Sequence, residues 1–297
     1  MIEKHILAYC AGYIDGDGCF HVRRQEMNTG HIKYQAKFIL SSTDTNILYF
    51  FKEIFGGVVR LSGNKISTHK PQYHFILENK NIEIFKEVFP YLVEKRDEAI
   101  LFMNYFKTSS KSGRQLLFEE MKQIKNHQNL VFQMQVDEFK KMSQTKECSS
   151  TDYAYLAGFI DAECSLGIAR SKDPKRPNFL YKIYLHCNNT KWPVFSWLMQ
   201  RFGGCLRLVK RKEQNNKHND QLSWRISSKR LAKVLPKLIK YIKYKKPVAE
   251  ELINFYETTI LNGGDRKSYH FTELYSAILS QRDLIFHKVH LLNRKGV

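Results

Sequence analysis

The sequence predicts an α+β protein built from two copies of one plan, a helix followed by strands and then more helices. Three observations carry this: a ten-residue segment that recurs, a period-two alternation of polar and apolar residues after it, and helical apolar stripes further along each half. Residues 8–17, AYCAGYIDGD, align without gaps on residues 154–163, AYLAGFIDAE, with six of ten positions identical. Phe55-Gly56-Gly57 followed by Arg60 recurs as Phe202-Gly203-Gly204 followed by Arg207, and Lys95 with Ala99 recurs as Lys245 with Ala249. The offset between equivalents stays within 146 to 150 residues, which makes duplication of a whole domain the simplest account.

Each element follows in order. The repeated segments read as helices whose small residues fall at i, i+3 and i+4: Ala8, Ala11 and Gly12, then Ala154, Ala157 and Gly158. A face of that kind lets two helices approach closely. After the first segment, Phe20 and Val22 alternate with His21 and Arg23, and Tyr34, Ala36 and Phe38 alternate with Lys33, Gln35 and Lys37. This is the signature of half-buried antiparallel strands, and Ile183 and Leu185 alternating with Lys182, Tyr184 and His186 repeat it. Helical stripes run through residues 44–55 (Ile47, Leu48, Phe51, Ile54, Phe55) and 229–242 (Leu231, Leu235, Leu238, Ile239, Ile242), and are read as core. Between the copies lie the loop-like KTSSKSGR, a polar helix candidate from Leu116 to Met142 and a breaker run from Ser143 to Asp152. The expected domains are residues 1–106 and 153–297, with a partly helical linker at 107–152.

Composition narrows the partner. A net charge of +19 from 48 Lys and Arg exceeds what solubility needs and points to a polyanion, nucleic acid before anionic membrane. With 43% hydrophobic residues the chain can still build a core, while no apolar run is long enough to span a bilayer. The start, Met-Ile-Glu-Lys-His, reads as mature structure rather than a signal peptide, so the protein is expected to work where it is made. The six cysteines, at 10, 19, 148, 164, 187 and 205, show no zinc spacing and suit a reduced compartment. His287 and His290 lack a third ligand nearby and are read as solvent-exposed.

The chemistry is expected at the ends of the repeated helices, Asp15-Gly16-Asp17-Gly18 and Asp161-Ala162-Glu163-Cys164. Close helix packing would bring Asp17 beside Glu163 on a pseudo-twofold axis, where two carboxylates repel unless a cation lies between them. Oxygen ligands favour magnesium, which can polarise a phosphodiester and lower the pKa of bound water. A calcium-loop reading of Asp-Gly-Asp-Gly fails on spacing. Starting at Asp15 puts Phe20 where glycine is needed, and starting at Tyr13 puts Arg24 where the bidentate glutamate belongs.

At these residues the chain resembles the LAGLIDADG homing endonucleases, whose motif is seen here as CAGYIDGDG and LAGFIDAEC. The resemblance covers nearly the whole chain and implies the single-chain, two-motif type: two pseudo-symmetric αββαββα domains with saddle-shaped antiparallel sheets lying in the major groove. It implies that Asp17 and Glu163, with the carbonyls of Gly16 and Ala162, hold the metal. Lys95 and Lys245 would lie near the scissile phosphates, and Ser42 and Asn189 would organise catalytic water. Magnesium is the expected cofactor, with manganese a substitute and calcium an ion that supports binding without cleavage. Candidate DNA-contacting residues are His21, Arg23, Gln25, Lys33, Gln35, Lys37, Arg60, Lys182, Tyr184, His186, Arg207 and Arg225, extended by the loops 28–31 and 172–176. The chain departs from the family pattern at Cys164, where glycine is usual and tolerates backbone angles denied to other residues.

The function so implied is a magnesium-dependent double-strand break in a long asymmetric DNA site by a monomer. It would be intron-encoded, in a chloroplast, a mitochondrion or a microbial cytoplasm, and not secreted. Two other readings share the scaffold: an RNA maturase that helps its own intron fold, and a DNA-binding regulator that has lost cleavage. Acids in both motifs and lysines at both matching positions argue against the last.

Overall fold

The computed structural model describes residues 2–62, 71–78, 82–127, 147–172, 179–210, 221–227, 229–260 and 273–295. The first half runs α1 (Lys4–Asp17), β1 (Gly18–Glu26), β2 (Ile32–Ser42), α2 (Thr45–Phe55), β3 (Val58–Leu61), β4 (Tyr73–Leu77), a short α3 (Ile82–Phe85), a 3-10 turn (Lys86–Tyr91) and α4 (Arg96–Lys107). Helix α5 (Lys111–His127) follows. The second half repeats the order as α6 (Ser150–Glu163), β5 (Cys164–Lys172), β6 (Phe179–Asn189), α7 (Trp192–Phe202), β7 (Cys205–Val209), β8 (Gln221–Ser227), α8 (Lys229–Leu238), α9 (Lys246–Ile260) and α10 (Glu273–Lys295). Each half carries one antiparallel sheet, ordered β1-β2-β4-β3 and β5-β6-β8-β7. The predicted α+β class with two αββαββα halves is the observed one.

Period-two patterning explains which sheet face is inside. Phe20, Val22, Tyr34, Ala36, Phe38 and Phe75 are buried on one face, where Phe20 and Phe38 lie against Phe85 and Phe102 of the covering helices. In the second sheet Leu166, Ile183, Leu185 and Trp224 play that part, and the Trp224 indole nitrogen donates to the Gly203 carbonyl at 2.8 Å. The recurring Phe-Gly-Gly is the stop of α2 and of α7. Gly56 and Gly57 (φ 72° and 80°) and Gly203 and Gly204 (φ 61° and 113°) occupy left-handed backbone that lets the chain reverse into the next strand.

The halves meet through α1 and α6, and the small-residue face is the reason they come so close. A Cβ on Gly12 would collide with the Tyr155 carbonyl oxygen, and one on Gly158 with that of Tyr9. Backbone touches backbone at both crossings.

Several expectations are corrected. KTSSKSGR is a loop only at residues 108–110: α4 runs to Lys107 and α5 starts at Lys111 rather than Leu116, because the Ser110 hydroxyl accepts from Gly113 N–H and Arg114 Nε donates to the Thr108 carbonyl. The later part of that predicted helix, 128–142, lies outside the described residues, as do 143–146 of the breaker run. Helix α6 already begins at Ser150, capped by a reciprocal Ser149–Asp152 pair. Helix α8 ends at Leu238, so Ile239 and Ile242 leave it in a turn.

The cysteines also differ from expectation. Cys164 and Cys187 stand directly opposite on β5 and β6, with Cα atoms 4.4 Å apart, and form a disulfide. Strand register pairs them, which no sequence spacing announces. Nor does the backbone angle at position 164 need glycine: Cys164 has φ of −95°, extended backbone open to any residue, whereas at Gly18 a Cβ would lie 2.6 Å from the Ile14 carbonyl oxygen.

Candidate active site and nucleic-acid face

Both motif helices pass straight into a strand, so Asp17 and Glu163 stand at helix–strand junctions. Gly16 packs on the partner motif: a Cβ there would overlap that of Ala162 and lie 3.0 Å from Glu163 Cγ. The two acids therefore share one site. The Asp17 carboxyl is open to solvent on its outer side yet hemmed by protein on the others. Burial, and then the Glu163 charge, push it up to about 7, against the pull of Lys95 and Lys245. Burial also raises Glu163 above its ordinary range.

The first acid of each motif has a different task. Asp15 accepts from the backbone N–H groups of Val93, Glu94 and Lys95 at 2.8, 3.1 and 2.9 Å. Asp161 accepts from those of Lys243, Tyr244 and Lys245 at 2.8, 3.0 and 2.8 Å. Each also takes a hydroxyl from the other half, Tyr155 to Asp15 at 2.7 Å and Tyr9 to Asp161 at 2.8 Å. Burial raises the Asp15 carboxyl while these donors pull it down, and it keeps both tyrosines well above their usual range. These crossed bonds lock helix to helix and fix the segments that carry the two lysines. Sequence reasoning missed these four residues, although both Tyr and both Asp are identical between the repeats.

Removing one of the hydroxyls tests the lock. Tyr155→Phe leaves the buried Asp15 one donor short, and a hydrogen bond to a charged group contributes about 1.5–3 kcal/mol. A thermal melt should show the variant unfolding several degrees lower, and an unchanged melting temperature would refute the lock.

Lys95 and Lys245 fall where the repeat predicts. Lys95 Nζ donates to the carbonyls of Ile14 and Gly16 at 2.9 and 3.1 Å. Lys245 Nζ donates to those of Ile160, Asp161 and Cys164 at 2.7, 3.2 and 2.7 Å, so the Ala162 carbonyl is not among its acceptors. Burial lowers both ammonium pKa values; acids support both charges, Asp15, Glu98 and Asp17 at Lys95 and Asp161, Asp17 and Glu163 at Lys245, and Lys191 lowers Lys95 further. Lys191 also bridges the halves through Glu94 and Glu98 at 3.3 and 3.5 Å. Its equivalent in the first half is Asp44, so the surroundings of the two lysines differ in charge.

Ser42 and Asn189 close β2 and β6 in matching ways. The Ser42 hydroxyl accepts from Asp44 N–H at 3.0 Å, and Asn189 Oδ1 from Thr190 and Lys191 N–H at 2.6 and 3.2 Å. Their side-chain oxygens thus hold the turns that lead into the following helices, and the Ser42 hydroxyl also bonds the Tyr13 phenol.

The donor set fits a hard divalent cation. Among the described residues no cluster of three His, Cys, Asp or Glu could hold one, so a cation between Asp17 and Glu163 would take two carboxylates and backbone oxygens from the protein. Water and phosphate oxygens would complete the sphere, the usual arrangement for magnesium.

All twelve candidate contact residues lie on the sheet faces turned away from the core. Register pairs His21 with Lys37, Arg23 with Gln35 and Gln25 with Lys33. Arg60 stands opposite His74, Arg207 opposite Ser223, and His186 opposite Arg225. Lys182 and Tyr184 share the latter face, facing Ala169 and Gly167. Lys37 is already engaged by Glu78 at 2.7 Å. The loop 28–31 forms a turn closed by Met27 N–H to the His31 carbonyl at 2.9 Å, whereas 173–176 of the second loop lie outside the described residues. His287 is exposed and pairs with Asp283 at 3.4 Å.

Two sheets joined through paired acid-tipped helices define the fold of a two-domain homing endonuclease. Solved structures agree at low identity: the I-LtrWI LAGLIDADG homing endonuclease bound to target DNA matches with TM-score 0.65 and 20% identity over 96% of this chain and 97% of its own. I-SmaMI bound to an uncleaved DNA target with calcium ions matches with TM-score 0.63 and 16% identity over 97% and 98%. Residues 10–125 match the family model described as LAGLIDADG endonuclease. That match covers the first motif and its sheet, the second motif repeats the first at residues 154–163, and two motifs in one chain fit the two-motif type of that family. A probable intron-encoded endonuclease, Cox1-I1b, of Schizosaccharomyces pombe is 28% identical over 175 residues, 57% of this chain and 42% of the relative. The reverse gyrase of Methanocaldococcus jannaschii is 32% identical over 111 residues, 37% of this chain and 6% of the relative. The chain thus spans less than half the length of either curated relative.

Proposed function

We propose that the protein is a site-specific homing endonuclease that makes a magnesium-dependent double-strand break in a long asymmetric duplex target. The observation that carries this is the juxtaposition of Asp17 and Glu163 at the junction of the two motif helices, near the buried Lys95 and the half-buried Lys245. Magnesium bound there would supply Lewis-acid stabilisation of the phosphodiester and of the leaving oxygen. The chain's own groups do the rest. Asp17 and Glu163 hold the cation with the Gly16 and Ala162 carbonyls. Lys95 and Lys245 offset the negative charge that builds on phosphorus oxygens as water attacks. Ser42 and Asn189 orient that water, and the basic sheet faces hold the duplex in register. The protein would act as a monomer, since one chain supplies both acids. An intron-encoded origin, in an organelle or a microbe, is supported by the description of the fission-yeast relative. No helix among the described residues is long and apolar enough to cross a membrane.

A randomised duplex library tests this, incubated once with magnesium and once with calcium. Cleavage at one long motif with magnesium and retention of that motif with calcium are expected. Duplex binding without cleavage would sink the nuclease, and preference for structured intron RNA over DNA would favour the maturase.

The acid pair also sets a pH dependence. With Asp17 raised from 3.8 to about 7, the metal-free site takes up a proton near neutrality, and a cation must displace it. Magnesium affinity should therefore rise between pH 6 and about 8 and level off above, as measured by calorimetric titration. Without metal the sign reverses for stability. The folded state holds a proton that the unfolded chain releases at lower pH, so melting temperature falls as pH rises from about 4 to about 7, a small effect because the carboxyl's open side is screened.

A further inference from the structure

The wet face of the second sheet holds a cluster with no counterpart in the first. Tyr184 on β6 lies opposite Gly167 on β5, and its ring occupies the space a side chain there would take. A Cβ on Gly167 would lie 2.8 Å from the Tyr184 hydroxyl oxygen and 2.9 and 3.2 Å from ring carbons. Arg225 of β8, diagonal to Tyr184, places its guanidinium carbon 5.0 Å from the ring centroid. Its cross-strand neighbour His186 is tied by a 2.9 Å contact to Ser223. No hydrogen bond or ion pair among the described residues occupies the Arg225 guanidinium, and the residue is exposed. At the equivalent positions the first sheet has His21 in place of Gly167 and Lys37, engaged by Glu78, in place of Tyr184.

A long cationic side chain that swings freely suits a phosphate, which tolerates many approach angles. Stacking on an aromatic face removes that freedom and leaves the in-plane N–H fork for a partner with two acceptors side by side. The O6 and N7 edge of guanine in the major groove is such a partner. We infer that Arg225, seated on the Tyr184 ring in the space Gly167 leaves, is a base-reading residue that requires guanine at one position of the half-site beneath the second sheet. This rests on the DNA-binding reading above. It adds that the two half-sites are read by different chemistry: the first sheet has Ile76 at the position of Arg225 and an already paired Lys37 at that of Tyr184.

Full-length protein is tested by binding selection from a randomised duplex library in calcium, with circular dichroism to check folding of each variant. The wild type should prefer guanine at one position of one half-site by about tenfold or more. Arg225→Gln should lose that preference and leave the other positions unchanged. Tyr184→Leu should relax it, Tyr184→Phe should preserve it because the ring face remains, and Gly167→Ala should relax it by displacing the ring. If Arg225→Gln weakens every sequence equally, the residue touches phosphate and this inference is overturned while the DNA-binding reading stands. If Tyr184→Leu leaves the preference intact, the stacking has no part in reading and the inference is likewise overturned. If the wild type selects no duplex at all, the proposed function falls first and this inference with it.

Discussion

Asp17→Asn is expected to abolish cleavage of the selected target, by on the order of a thousandfold or more, because the contribution of a bound cation to charge stabilisation is several kcal/mol. Affinity for the target in calcium should change only a few-fold, since the basic sheet faces are untouched. The same substitution removes one of two like charges in a confined space, so the metal-free variant should melt above the wild type near pH 8. A catalytic acid held against its own repulsion gives this opposed pair of effects, and a helix-capping aspartate does not. A variant that still converts supercoiled plasmid to linear product at the wild-type rate would remove Asp17 from the chemistry. Glu163→Gln should behave alike. Timing the nicked intermediate in the wild type tests a hypothesis that follows from the unequal arms of Asp17 and Glu163 and the different surroundings of Lys95 and Lys245: the two strands are cut at different rates.

The second large effect is on folding. Gly158→Val puts a branched side chain where the Tyr9 carbonyl already stands, and Gly12→Val does the same against Tyr155. Backbone cannot yield as a side-chain tip can. The helices must separate, and the crossed Tyr9–Asp161 and Tyr155–Asp15 bonds go with them, so a loss of about 3 kcal/mol or more is expected in urea unfolding. Gly30→Ala provides the contrast. Its φ of 73° is unfavourable for alanine, but a Cβ there meets nothing within 4 Å, and the expected cost is about 1 kcal/mol. Equal losses at Gly158 and Gly30 would show that the helix contact is not what limits stability.

What the sequence disclosed depended on the range of the interaction. The motif helices, the β1–β2 and β5–β6 alternation and α2 follow from patterns repeating within a few residues, and the structure has them all. The pairing of α1 with α6 was legible only because duplication placed the same small-residue face twice. The Asp15 and Asp161 receptors were not legible: their N–H donors lie 78 to 84 residues away, and only the three-dimensional turn before α4 and before α9 aims them. The Cys164–Cys187 pair and the seating of Tyr184 over Gly167 are matters of register between strands, which alternation signals but does not number. The start of α5 was lost for a local reason, a serine cap hidden in a run of polar residues that reads as loop.

No linker intervenes between Asp17 and Gly18 or between Glu163 and Cys164: the last helical residue is followed at once by the first residue of a strand. Acid and outer-face strand residues of each half thus sit on one continuous piece of backbone. Under the proposed function, outer-face side chains on β1 and β5 other than Gly167 could be exchanged to change which bases are recognised while the distance from recognised base to severed bond stays constant. Such a molecule would behave as a ruler whose markings can be rewritten without moving its zero.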